Sequence, residues 1–167
     1  QPVAAFASLA EAYGLTDGHL ELDNELERLG FMTESYDQLA MLWSETAPLL
    51  GEKEAELRIR LAGLYEVHLD DPAEAIEQYQ AILELQPDNL AAFDALEQLL
   101  SAQDDTRGVV ELLERRVGQC DDLTDKIVLL NRIAAVYIEV DDNADGAIET
   151  YRQVLAIEPG DTEALTN

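Results

Sequence analysis

The stretch with the clearest chemical potential is Asp141-Asp142-Asn143-Ala144-Asp145-Gly146. It fits the first half of a calcium loop, D-x-[DN]-x-[DN]-G, in which alternate oxygens wrap a hard cation and the glycine permits a sharp turn. Ile148 falls where such loops place an apolar residue. The twelfth position, however, needs a bidentate glutamate, and Arg152 stands there with the opposite charge. The stretch therefore reads as a turn and a helix cap, with helix over Ala147 to Ala156.

The remaining candidates resolve in the same direction. Asp70-Asp71, Asp104-Asp105 and Asp121-Asp122 fall at turns, where an aspartate accepts from the orphan amides of a helix start. His19 and His68 have no Cys or His at metal-ligand spacing. His68 reads as a helix-end residue, where a cation meets the helix dipole favourably. Cys120 is the single cysteine, so no intrachain disulfide forms, and it reads as a helix-end thiol. Trp43 sits at a packing position and reads as core. No phosphate-binding glycine loop, nucleophile elbow or dinucleotide fingerprint is present. The expectation is a non-enzyme with no catalytic residue, no cofactor and no metal.

Charge narrows the partners. The 167 residues carry 10 Lys+Arg against 36 Asp+Glu, a formal −26. Such a field repels nucleic acid and anionic lipid and attracts basic segments; acidic outer faces also keep a helical array in solution. No run of about 18 apolar residues spans a membrane. No signal peptide is visible, which points to the cytoplasm; Gln1 in place of Met leaves a periplasmic location open.

The elements that position these residues are short amphipathic helices. Leu61 to Pro87 reads as two helices and a turn, and the same pattern returns at Ile133 to Pro159. Tyr65 maps to Tyr137, Ala75 to Ala147, Ile76 to Ile148, Tyr79 to Tyr151 and Pro87 to Pro159, each at an offset of 72. That period is about twice the ~34 residues of a helical-hairpin repeat. The first helix, with Ala5, Phe6, Leu9 and Tyr13 on one side, occupies residues 2–14 as the second helix of a truncated hairpin. Four units follow at 19–50, 53–88, 89–121 and 124–160, and residues 161–167 begin a further helix.

Apolar stripes at helical spacing give the expected core. They include Leu22, Leu26 and Leu29, then Tyr36, Leu39, Leu42 and Trp43. Ala55, Ile59, Ala62 and Val67 alternate with Arg58, Arg60 and Glu66. Ala75, Ile76, Tyr79, Ile82 and Leu83 line the helix that Asp71-Pro72 starts. Phe93, Leu96, Leu99 and Leu100 precede Val109, Val110, Leu112, Leu113 and Val117. Gly30 is expected to end its helix by taking the left-handed conformation. An array that opens on a lone second helix and closes on a beginning first helix reads as part of something longer.

The pattern resembles the tetratricopeptide repeat (TPR) family. The motif positions are Leu61-Ala62, Tyr65, Ala75, Tyr79 and Pro87, and again Ile133-Ala134, Tyr137, Ala147, Tyr151 and Pro159. The first and third units match weakly, with Leu39 and Val109 at the second-helix alanine. Arg58 takes the place of a large apolar residue. The turns after Tyr65 and Tyr137 are one residue longer than the commonest form.

The resemblance implies an all-α, right-handed α-α superhelix of tandem helical hairpins, a TPR-like solenoid. It further implies a non-enzymatic scaffold that binds a protein or peptide segment in a concave groove of first-helix residues. The groove candidates it implies are Glu21, Asn24 and Arg28; Glu56, Gly63 and Glu66; Ala91, Asp94 and Gln98; and Val128, Asn131, Ala135 and Glu139. This set is acidic and unlike a Lys/Arg/Asn carboxylate clamp, so a basic or polar segment suits it. The alternative is a structural spacer or a self-associating module of a larger protein.

Overall fold

The computed structural model describes residues 2–14, 20–139 and 143–166. Ten α-helices run through them: α1 (Pro2–Gly14), α2 (Leu20–Thr33), α3 (Tyr36–Thr46), α4 (Glu54–Leu64), α5 (Pro72–Leu85), α6 (Leu90–Ala102), α7 (Thr106–Gln119), α8 (Leu123–Glu139), α9 (Ala144–Ile157) and α10 (Thr162–Thr166). No strand occurs among the described residues. Two compact units divide the chain, Gln1–Leu96 and Glu97–Asn167, with the boundary inside α6. The first packs α1 on α2 and α4 on α5; the second packs α7 on α8 and α8 on α9. The fold is thus a succession of TPR-like helical hairpins.

Side-chain caps set the helix starts. Asp71 Oδ1 accepts from the Glu74 amide at 3.2 Å, Asp105 from Gly108 at 2.9 Å and Asn143 from Gly146 at 3.0 Å. Asp122 accepts from Thr124 and Asp125 at 2.8 and 3.1 Å. These contacts hold the Asp122 carboxyl below its usual range, the Asp125 amide contributing most. The carboxylate pairs at the turns therefore include helix caps that satisfy orphan amides. Asn143 is one of them; Asp141 and Asp142, which complete the calcium-like motif, lie outside the described residues.

Backbone hydrogen bonds fix the register of the turns. Ser35 N donates to Gly30 O and Asp105 N to Leu100 O, both at 2.9 Å and five residues apart. Asp71 N reaches Tyr65 O at 3.0 Å and Asn143 N reaches Tyr137 O at 2.8 Å, both six residues apart. The turn after Tyr65 closes over six residues, where those before Ser35 and Asp105 close over five. After Tyr65 the additional residue is taken up as one π-helical turn, Tyr65–Leu69. Asp70 then enters the left-handed region at φ 51°.

Three expectations need correction. Gly30 does not end α2, which runs on to Thr33, and Glu34 takes the left-handed conformation at φ 54°. Gly30 is instead a packing glycine. A Cβ there would stand 3.2 Å from both Leu39 Cδ2 and Phe6 Cε2. Ile59 is 46% exposed and Val67 74% exposed, while Leu57, Leu61 and Leu64 form the buried stripe of α4. Val67 lies in the π turn, which departs from the α-helical phase. Ala5 faces solvent, although Phe6 and Tyr13 of α1 are buried as expected.

The core of the first unit gathers Phe6, Tyr13, Leu26, Leu29, Leu39, Trp43, Leu57, Leu61 and Leu64. Apolar burial is the main favourable term holding such hairpins together. In the second unit Leu112, Leu113, Leu130, Ile133, Ala147, Tyr151 and Val154 play that part.

Candidate functional site

The face shared by α2 and α4 brings candidate residues from two hairpins together. Arg60, one turn before Gly63-Leu64, reaches across to α2. Its Nη2 donates to Asn24 Oδ1 at 3.0 Å and to the Glu27 carboxylate. The guanidinium also lies over the Trp43 ring, 5.2 Å from its centroid, a cation–π arrangement. Beside it a small cleft is lined by Asp23, Leu50, Lys53, Glu56, Leu57 and Arg60. Asp23 is only 2% exposed and accepts the hydroxyl of Tyr13. Burial, reinforced by that carboxylate, pushes the Tyr13 phenol well above its ordinary range.

The other candidates of the first unit have their own partners. Arg28 is exposed and pairs with Glu25 on its own helix, its Nε donating to Oε2 at 2.7 Å. Glu66 accepts the Tyr79 hydroxyl at 2.7 Å. Burial first, then this carboxylate, raises the Tyr79 phenol above its usual range. Gly63 faces open space, with no atom within 4 Å of where a Cβ would stand. Ala91 and Asp94 are exposed on α6. Glu21 belongs to α2, but its side chain lies outside the described residues.

In the second unit Gln98 is exposed on α6. Val128, Asn131, Ala135 and Glu139 recur at helical spacing along α8, with Val128 62% exposed and Asn131 and Ala135 half-buried. A spacing of three to four residues keeps them on one stripe of that helix.

Several residues that matter were not identified in the sequence. Arg60 reaches Asn24 and Glu27, 36 and 33 residues away, and no short motif announces such a contact; Asp23 meets Tyr13 of the preceding helix. Arg58, at an expected apolar position, donates to Glu54 Oε1 at 2.8 Å and to the buried Gln78 Oε1 of α5 at 2.7 Å. It cross-links its hairpin through a satisfied polar pair. Its mismatch with the motif was the available signal. Trp43 is fully buried, as its position implied. Cys120 caps α7 at its C-terminal end, its Sγ 3.3 Å from Asp122 O.

His68 does more than end a helix. Its ring stacks on Tyr36 at 4.5 Å and meets Phe31 edge-on at 4.7 Å, while Phe31 meets Tyr36 at 5.4 Å. Three aromatic rings thus join α2, α3 and the π turn. Among the described residues no group of three or more His, Cys, Asp or Glu converges as a metal site, and no helix is long and apolar enough to cross a membrane.

No family model matches the sequence, and no curated protein matches it. Among solved structures the chain is similar to two crystal structures of MamA. One is 19% identical, with a TM-score of 0.44 over 81% of this chain and 75% of that one. The other is 18% identical, with 0.49 over 86% and 75%. It is also similar to YrrB, described as a TPR protein with an unusual peptide-binding site, at 17% identity and a TM-score of 0.48 over 98% and 81%.

Proposed function

We propose that the chain is a non-catalytic interaction module that holds a basic or polar extended segment of a partner protein against its first-helix face. The observation that carries this reading is the α2–α4 face. There Glu56 presents an exposed carboxylate at a small cleft that it lines with Asp23, Lys53 and Arg60, and Arg60 holds Asn24 and Glu27 beside it. Arg60 holds both helices in place, so the face is pre-organised, which lowers the ordering cost of binding. The net charge of −26 adds long-range attraction for a cationic segment and repulsion of nucleic acid.

Calorimetric titration with an oligolysine and an oligoglutamate peptide tests the reading. Oligolysine binds, oligoglutamate does not, and raising the salt weakens the complex. Glu56→Gln and Asn24→Ala each weaken it several-fold, while Glu77→Gln on the exposed outer face of α5 leaves it unchanged. Equal effects of all three substitutions would reduce the interaction to general charge. The α2–α4 face would then have no special role, and a spacer or self-associating segment would be the better reading.

A further inference from the structure

The turn register relates two seams between successive hairpins. Asp105 follows Ser35 by 70 residues (105 − 35) in equivalent caps, and Tyr137 follows Tyr65 by 72 (137 − 65) as equivalent acceptors. On this register Tyr36, Asp37, Ala40, Met41 and Ser44 of α3 correspond to Thr106, Arg107, Val110, Glu111 and Glu114 of α7. Tyr65, which starts the π turn after α4, corresponds to Tyr137 of α8. In the first unit the seam is closed. The Tyr36 ring stacks on His68, Phe31 covers its edge, and Ser44 Oγ lies 3.5 Å from the Tyr65 hydroxyl. In the second unit the residues equivalent to those of α3 and to Tyr65 line a cleft of about 400 Å³, while the counterpart of His68, residue 140, lies outside the described residues. A second cavity of about 150 Å³ lies on the other side of Thr106, lined also by Ser101, Asp104, Val109 and Val136. The larger space falls in the range of ligand clefts, roughly 300–1,000 Å³.

We infer that the α7–α8 cleft receives an aromatic side chain carried on a basic segment of a partner. The closed seam is the internal template: where α3 supplies its own Tyr36 ring, α7 supplies only Thr106. The floor suits a ring, with Val110 buried and the Tyr137 ring beside it. The rim sets the flanking charge. Arg107 Nε is paired with Glu111 at 2.7 Å, and Glu114 adds a further exposed carboxylate. Cationic residues beside the inserted ring meet these carboxylates and the acidic field of the whole chain. A second copy of this chain is disfavoured as the occupant by like charge. The site is separate from the α2–α4 face and stands whether or not that face binds.

The test uses two labelled peptides, a tryptophan flanked on each side by two lysines and its alanine counterpart, measured by fluorescence anisotropy against the whole chain. The tryptophan peptide is expected to bind about tenfold more tightly. T106Y, which installs the ring that α3 already carries, removes that preference, whereas E77Q on the exposed face of α5 preserves it. Nuclear magnetic resonance of the unmodified protein gives a second readout, with the Thr106 methyl and Tyr137 ring signals shifting on addition of the tryptophan peptide only. Equal binding of the two peptides, or shifts confined to the α2–α4 face, overturns the inference. If T106Y misfolds, the peptide comparison and the signals of the unmodified protein still decide. Failure of the oligolysine test with a retained tryptophan preference would reject the α2–α4 reading and leave this one standing.

Discussion

Between α3 and the π turn that follows α4, three aromatic rings fill the seam; on α7 the residues equivalent to those of α3 line a cleft together with Tyr137 of α8. Both seams begin from a five-residue turn and meet a motif tyrosine on the next hairpin. What differs is the identity of a few side chains on a shared frame. Tyr36 against Thr106 changes the volume, Ser44 against Glu114 changes the charge, and Trp43 against Leu113 changes the depth of core beneath. A hairpin repeat buries its main apolar stripe whatever stands at the seam's outer edge, so that edge is free to close or to open.

The largest expected difference lies beneath the seams. Trp43 and Leu113 occupy corresponding, fully buried positions. Trp43→Ala should cost ~3–5 kcal/mol, and Leu113→Ala less within its ~2–5 kcal/mol range, because a smaller cavity is left. Urea denaturation followed by far-ultraviolet circular dichroism measures both, and a larger loss at Leu113 would break the comparison. The caps come next. Asp105 holds the Gly108 amide, whereas the Ser35 side chain makes no cap bond and pairs with Thr33 Oγ1 at 2.8 Å instead. Asp105→Ala should lower stability by about 1 kcal/mol and Ser35→Ala by less than half as much. Equal losses would mean that the two turns are held in the same way.

Much of this frame was legible in the sequence, because caps and periodic stripes are local signals. The 72-residue offset located the paired tyrosines and the longer turns, and Asp71, Asp105 and Asn143 read as caps for the reason they act as caps. Gly30 misled because glycine after an apolar run is a common helix end, and nothing local revealed that Phe6 and Leu39 would press against it. Val67 misled because the α-helical period was carried through a segment that turns as a π-helix. The α2–α4 face was half legible. Alignment supplied Asn24 and Glu56, but the Arg60 bridge joins segments 36 residues apart, and the buried Tyr13–Asp23 pair depends on how two successive helices pack. Nothing local marks the α7–α8 cleft, because it depends on which side chains of two helices stand beside one another.

The smallest expected effect concerns the helix that follows the closed seam. Tyr79 donates to Glu66 of the π turn; at the corresponding positions of the second unit stand Tyr151 and Ile138, with no carboxylate. Burial and the Glu66 contact raise the Tyr79 phenol, so the folded chain retains that proton to higher pH than the unfolded chain. A group whose folded value is raised contributes fully below its unfolded value, about 10 for tyrosine, and loses that contribution as pH rises through the folded value. Thermal midpoints should therefore fall as the pH rises above about 10, with Tyr13 adding to the decline for the same reason. Tyr79→Phe removes this group's share and makes the decline shallower. Glu66→Gln makes it shallower by a smaller amount, because burial, the larger cause, remains. An unchanged slope in Tyr79→Phe would show that the contact with the π turn does not link its protonation to folding.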